Sequence, residues 1–163
     1  MMRFAAPLAL AFALSACGLQ PMYAGGGNGV VARGLGSIEV PAIEGQSGWL
    51  VRNALVDRLG AASTGTARYR LDVRLDDKLE GLGVLSDDTI GRERRTLRAR
   101  YQLVDLTDGK ILVDATAGSD AGIDVVSSEY ATIAAEQTAL ENLAREVASQ
   151  ITTRLALTLR EQQ

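Results

Sequence analysis

The chain reads as an α+β domain: a four-stranded, mainly antiparallel sheet with two helices packed on one face, in the order β-α-β-β-β-α. Three patterns predict it. Residues 69–75 and 97–103 alternate apolar with polar or charged side chains, the period of a strand with one face on a core. The Asp108-Gly109 turn signal joins the second run to a third, 111–117, making residues 95–119 a hairpin. Two segments, 48–59 and roughly 128–160, repeat apolar residues at helical spacing. Laying both helices on the apolar face of the sheet is the simplest way to bury all of these surfaces at once.

Each element has its own signal. Residues 37–40 form a short strand that Pro41 ends, since proline cannot donate to a ladder. Val51, Leu55 and Leu59, with Ala54 alongside, mark the first helix, and Gly60 sits where a C-terminal glycine belongs. Tyr69, Leu71, Val73 and Leu75 face inward on the second strand, with Arg68, Arg70, Asp72, Arg74 and Asp76 between and beside them. Residues 80–88, rich in glycine and acid, read as a loop. On the third strand Leu97, Ala99, Tyr101 and Leu103 point inward and Thr96, Arg98, Arg100 and Gln102 outward; Ile111, Val113, Ala115 and Ala117 continue on the return strand. Ser127 or Ser128 starts the last helix, with Glu129 in its first turn. Ile133, Leu140, Ala144, Val147, Ile151 and Leu155 form its apolar stripe, and Arg160 suits the negative end of its dipole.

Ahead of the domain, the first sixteen residues have the anatomy of a signal peptide. Met1-Met2-Arg3 supplies a positive start, residues 4–14 an apolar core, and Ser15-Ala16 the small residues that precede a cleavage site. The apolar run is shorter than the ~20 residues that span a bilayer. Leu14-Ser15-Ala16-Cys17 resembles a bacterial lipobox, in which the cysteine thiol carries diacylglycerol and the chain is cut just before it. Cys17 is the only cysteine. Residues 17–36, with the run Gly25-Gly26-Gly27-Asn28-Gly29, then read as a lipidated flexible tether, and residues 37–163 as a single domain.

Composition removes several functions. Loss of residues 1–16 takes only Arg3 from the 17 basic residues, leaving 16 against 20 acidic ones, a balance unsuited to general nucleic-acid binding. With no histidine, the usual zinc sites, serine–histidine triads and imidazole acid–base catalysis are excluded. With Cys17 lipidated, no thiol is left for a disulfide. The pairs Asp76-Asp77 and Asp87-Asp88 lack the ligand spacing of a calcium loop, and the glycine run lacks the Lys-Ser/Thr of a phosphate loop. The sequence therefore points away from an enzyme, a metal centre and a cofactor.

One cluster stands out. Arg92, Arg94, Arg95, Arg98 and Arg100 crowd into nine positions, relieved by Glu93. By parity Arg92, Arg94, Arg98 and Arg100 share the strand face opposite Leu97 and Tyr101, where like charges repel unless something offsets them. Two readings follow from the residues: a solvated face answered by Asp72, Asp76 or Asp114, or a polyanion site built of guanidinium forks, which match phosphate geometry at any pH. Trp49, the only tryptophan, reads as a partly buried anchor at a helix start, with a partner contact as the alternative. Gln137 and Thr138 read as core-edge residues of the long helix.

Several segments together resemble the lipopolysaccharide-assembly lipoproteins of the LptE family, particularly their alphaproteobacterial branch. These are Cys17-Gly18 with Pro21-Met22-Tyr23, the helix stretch Leu50-Val51-Arg52-Asn53-Ala54-Leu55, the strand from Thr96 through Arg98, Arg100 and Tyr101 to Leu103, and Glu129-Tyr130-Ala131. The resemblance implies a non-enzymatic outer-membrane lipoprotein, anchored by its lipid with the domain on the periplasmic side. It implies as partner the large LptD-type β-barrel that inserts lipopolysaccharide, in whose lumen such lipoproteins sit as a plug. It also implies lipopolysaccharide itself as a ligand, met by basic residues near the central strand. The auxiliary lipoprotein of ABC-type lipid transport systems shares the Cys-Gly start and the nearby proline and tyrosine. The arginine-bearing hairpin and the Arg52-Asn53 helix fit the LptE family better.

Overall fold

In the computed structural model, which describes residues 30–60, 66–84 and 90–161, the chain forms three helices and four strands. They are α1 (Val30–Gly36), β1 (Ile38–Glu39), α2 (Gly45–Leu59), β2 (Tyr69–Val84), β3 (Ile90–Asp105), β4 (Ile111–Asp124) and α3 (Glu129–Glu161). The sheet order is β1-β2-β3-β4; β1 runs parallel to β2, and the other pairs are antiparallel. The expected class and sheet are therefore present. Cys17, the signal segment and the glycine run lie outside the described residues.

The alternation read from the sequence sets the layers. On β3 Leu97, Ala99, Tyr101 and Leu103 are buried, and Leu71, Val113, Ala117 and Ile123 join them from the flanking strands. The helices lie on that face: Val51, Leu55 and Leu59 of α2 and Leu140, Ala144, Val147, Ile151 and Leu155 of α3 are buried. At the end of α2, Gly60 adopts φ 66° and returns its N–H to the Val56 carbonyl, a conformation glycine takes without a Cβ penalty. Ser128 caps α3, its hydroxyl accepting from the Ala131 N–H at 3.4 Å.

The structure departs from the sequence reading at five places. Residues 30–36, expected as the end of the tether, form α1; Val31 and Leu35 are buried, and Gly34 lies close against Leu159 near the end of α3. Glycine-rich sequence here permits close helix contact rather than signalling coil. β2 does not give way to a loop at Glu80 but continues to Val84, because β3 is long enough to pair with it as far as Val84↔Ile90. α2 starts at Gly45 rather than Gly48. Ile111, expected inside, is 50% exposed, beside the turn and the register shift at Leu103/Val104. Ile133, expected in the apolar stripe, is 54% exposed. Gln137 meets Gln46 near the start of α2, so Ile133, one turn further out, lies beyond α2, and Thr132 is buried instead.

Candidate functional site

Parity and register carry the predicted arginines onto the sheet face away from the helices. Arg92, Arg94, Arg98 and Arg100 project there from β3, all exposed. Across β4 stand Asp124, Gly122, Gly118 and Thr116 in register with them; across β2 stand Leu82, Glu80, Asp76 and Arg74. Three of the four meet a β4 carboxylate: Arg92–Asp124 at 3.1 Å, Arg98–Asp120 at 3.7 Å and Arg100–Asp114 at 3.2 Å. The guanidinium of Arg100 and the amide of Gln102 both donate to Asp114, and these bonds hold its carboxyl below the usual range. On β2 the charges pair along the strand, Arg70 with Asp72 at 2.9 Å and Lys78 with Asp76 at 2.9 Å. Glycine makes room for this layer: a Cβ on Gly118 would stand 2.4 Å from the Arg98 Cδ.

Two cations on this face form no ion pair among the described residues, Arg94 and Arg74. Arg74 is the more informative. It faces Arg100 directly across the β2–β3 ladder, like charge against like. On either side of that pair lies a depression, one of about 520 Å³ bounded by Pro41, Ile43, Asp72 and Gln102, the other of about 410 Å³ bounded by Asp76, Arg98 and Thr116; Arg74 and Arg100 line both. Opposed guanidiniums beside open space can hold an anion between them, and phosphate matches their fork geometry. Arg74 did not stand out from the sequence, because its neighbour is set by strand register and lies 26 positions away.

Arg95 is separated from the other four. It points to the helix face, where its guanidinium donates to both Asp77 oxygens at 2.9 and 2.8 Å and to the Glu136 carbonyl of α3 at 3.4 Å. The pair is largely covered, with side chains 16% and 20% exposed, and the Asp77 bonds raise the Arg95 pKa. Arg95 thus ties the sheet to α3 and is not part of the open face. Asp76 and Asp77 point to opposite faces and form no dyad.

Trp49, expected as a partly buried anchor, is 62% exposed. It borders a groove of about 510 Å³ between α2 and α3, with Leu50, Ala54 and Ala144 in its lining and Asp57, Arg58, Glu141 and Arg145 around it. Gln137 joins the two helices through Gln46 at 2.8 Å, and the Thr138 hydroxyl donates to the Ala134 carbonyl within α3. No cluster of metal-ligating side chains occurs among the described residues.

Comparison with known proteins identifies relatives of the fold. The family model for LptE, described as lipopolysaccharide-assembly, matches residues 35–155. A crystal structure of a Caulobacter crescentus protein described as a lipoprotein superposes with a TM-score of 0.70 at 30% identity, covering 83% of this chain and 98% of that one. A minor lipoprotein from Acinetobacter baumannii (TM-score 0.57, 19% identity, 74% and 88% of the two chains) shares the fold. So does the rare lipoprotein B of Shewanella oneidensis (0.54, 11%, 76% and 95%). No curated protein matches in sequence.

Proposed function

The chain belongs to the LptE family of lipopolysaccharide-assembly proteins, and from that premise we propose that it is an outer-membrane lipoprotein, lipidated at Cys17, that serves as the non-enzymatic partner and plug of the lipopolysaccharide-inserting β-barrel. The family match over residues 35–155 carries this reading and favours it over an auxiliary subunit of an ABC lipid transporter. The shape supports it physically. One face of the sheet is covered by helices, and the other is a broad layer of charge on rigid strands, compatible with a polar barrel lumen.

The same face offers the ligand contact. Arg74 with Arg100 receives phosphate groups of lipopolysaccharide, and Arg94, six residues along β3, offers a second cation with no ion pair among the described residues; Arg92 and Arg98 are held by Asp124 and Asp120, and Arg100 shares its charge with Asp114. Copurification of the full chain from detergent-solubilised membranes tests the partner: a large β-barrel protein is expected, and an inner-membrane ATPase complex would refute the assignment. Charge reversal separates partner from ligand. Arg74→Glu with Arg94→Glu breaks no ion pair among the described residues, so barrel copurification should persist while lipopolysaccharide binding falls. Loss of copurification with binding intact would assign the arginines to the barrel; no change in either would make the face a solvated one.

A further inference from the structure

Among the described residues β4 is an edge strand over its whole length, and its open edge carries mostly small side chains. Fourteen residues run without a proline or a lysine, and between Asp114 and Ile123 no side chain is larger than those of threonine and aspartate. Edge strands are usually blunted by such residues, by bulges or by a covering segment, because an open row of N–H and C=O groups templates another strand. Here the β3–β4 register is unbroken from Leu103↔Val113 to Arg92↔Asp124. In an antiparallel pair, alternate residues bond the neighbour and the rest turn their groups outward. Val125 donates to the Gly91 carbonyl at 3.1 Å, which fixes the odd-numbered positions as those that bond β3. The groups of Asp114, Thr116, Gly118, Asp120 and Gly122 therefore face the open edge.

One of these positions is already answered, in a telling way. The Gln150 side chain reaches from α3 to Gly118, its Oε1 accepting from the N–H at 3.1 Å and its Nε2 donating to the carbonyl at 3.3 Å. A side-chain amide carries one acceptor and a donor, as a peptide group does. Gln150 thus stands in for a single residue of a neighbouring strand. Among the described residues nothing else bonds the edge-facing groups of Asp114, Thr116, Asp120 or Gly122.

We propose that the β4 edge is a docking site for an extended, basic segment of another protein, which adds as a fifth strand and displaces the Gln150 amide from Gly118. The charge pattern selects the occupant. The outward side chains along this edge are Asp114, Thr116, Asp120 and Asp124 with glycines between; each carboxylate meets a β3 arginine on one side (Arg100, Arg98 and Arg92) and stays accessible from the open edge, so an acidic strand, or a second copy of β4 in a register that opposes Asp114 to Asp120 or Asp124, would bring acid against acid. Lysine or arginine on the incoming strand would meet those carboxylates instead. On the helix side this edge carries only the small side chains of Ala115, Ala117, Ser119 and Ala121. This inference rests on the edge itself and not on the barrel assignment.

The test uses the full lipidated chain in detergent and two eleven-residue probe peptides of alternating pattern. One has lysines at positions 1, 5 and 11, which oppose Asp124, Asp120 and Asp114, with threonine at the other outward positions and valine inward; the other has glutamates in place of the lysines. Hydrogen exchange should slow across residues 111–124 with the lysine peptide, and the glutamate peptide should bind about tenfold more weakly, as three cross-strand attractions become repulsions. Gln150→Ala should bind the lysine peptide more tightly, because no amide has to be displaced. Thr116→Pro removes an edge-facing donor without touching the β3 ladder and should abolish binding; should that variant not fold, Asp120→Lys should weaken it. Equal binding of the two peptides, protection elsewhere in the chain, or unchanged binding by Gln150→Ala would overturn the proposal. So would slow exchange over 111–124 that grows with protein concentration alone, which would assign the edge to a second copy.

Discussion

At the scale of single residues, the open face of the sheet trades stability for charge. Arg74 opposite Arg100 is a like-charge pair at cross-strand distance, and such pairs cost stability where opposite charges would add about 0.2–1 kcal/mol. Arg74→Glu should accordingly raise the melting temperature slightly while lowering lipopolysaccharide binding; a variant that loses both would show that Arg74 is structural. The covered face behaves in the opposite way. Tyr101 is 3% exposed at the centre of β3, and burial raises the pKa of its hydroxyl, so Tyr101→Ala should cost about 3–5 kcal/mol in denaturant titration. Asp105 ends that strand. The Thr107 N–H donates to its carboxylate at 2.8 Å and, with Arg68 beside it, holds the carboxyl below its ordinary value. A depressed carboxyl stabilises the fold above the unfolded-state pKa of about 3.9 and ceases to do so as pH falls through its folded value. Thermal melts from about pH 5 down to about pH 2 should show a smaller loss for Asp105→Asn than for the parent chain.

Among the elements, those marked by a local pattern were legible in the sequence, the two-residue β1 included, and those whose existence or extent depends on distant contacts were not. β3 and the hairpin turn could be read because alternation over 97–103 and a turn glycine at φ 75° are local properties. α1 could not: seven residues with two glycines carry little helical preference, and its stability comes from Val31 and Leu35 packing into a core completed by the far end of α3. The end of β2 was obscured for a similar reason, since Gly81 and Gly83 suggest a turn until the length of β3 is known. Of the candidate site, parity gave the shared face of Arg92, Arg94, Arg98 and Arg100. The partners Asp120 and Asp124 and the opposed Arg74 depend on register, which the sequence leaves open. α2 supplies a test of packing at this scale. A Cβ on Gly48 would stand 2.5 Å from the Ile43 carbonyl oxygen, a backbone atom that cannot rotate away. Gly48→Ala should therefore destabilise by about 1–3 kcal/mol, as overpacking does, despite alanine's better helix propensity. An unchanged or raised melting temperature would mean that the segment after β1 yields easily.

For the whole molecule, the position of α1 decides how a lipid anchor would hold the domain. α1 packs against the C-terminal part of α3, and the 33 residues of α3 extend about 50 Å from there at 1.5 Å per residue. The paired ends of β2 and β3, at Val84↔Ile90, lie toward the opposite end, because Arg92 pairs with Asp124, close before α3 begins. A chain fixed to a bilayer at Cys17 would thus present its charged sheet as a rod with one end near the membrane. From Cys17 to Val30 the chain spans at most ~3.3–3.6 Å per residue, about 45 Å in all, so the near end stays within that distance of the lipid. A single acyl chain would hold it only marginally, whereas the three expected on a diacylated, N-acylated Cys17 make attachment durable. Cys17→Ser should leave an uncleaved precursor that fractionates away from the outer membrane. Its melting temperature should be unchanged, because among the described residues the core starts at Val31, well after the anchor. Intact-mass measurement of the membrane-derived parent protein supplies the decisive number: a mass short of the acyl chains, with residues 1–16 still attached, would remove the anchor and with it the orientation argued from α1.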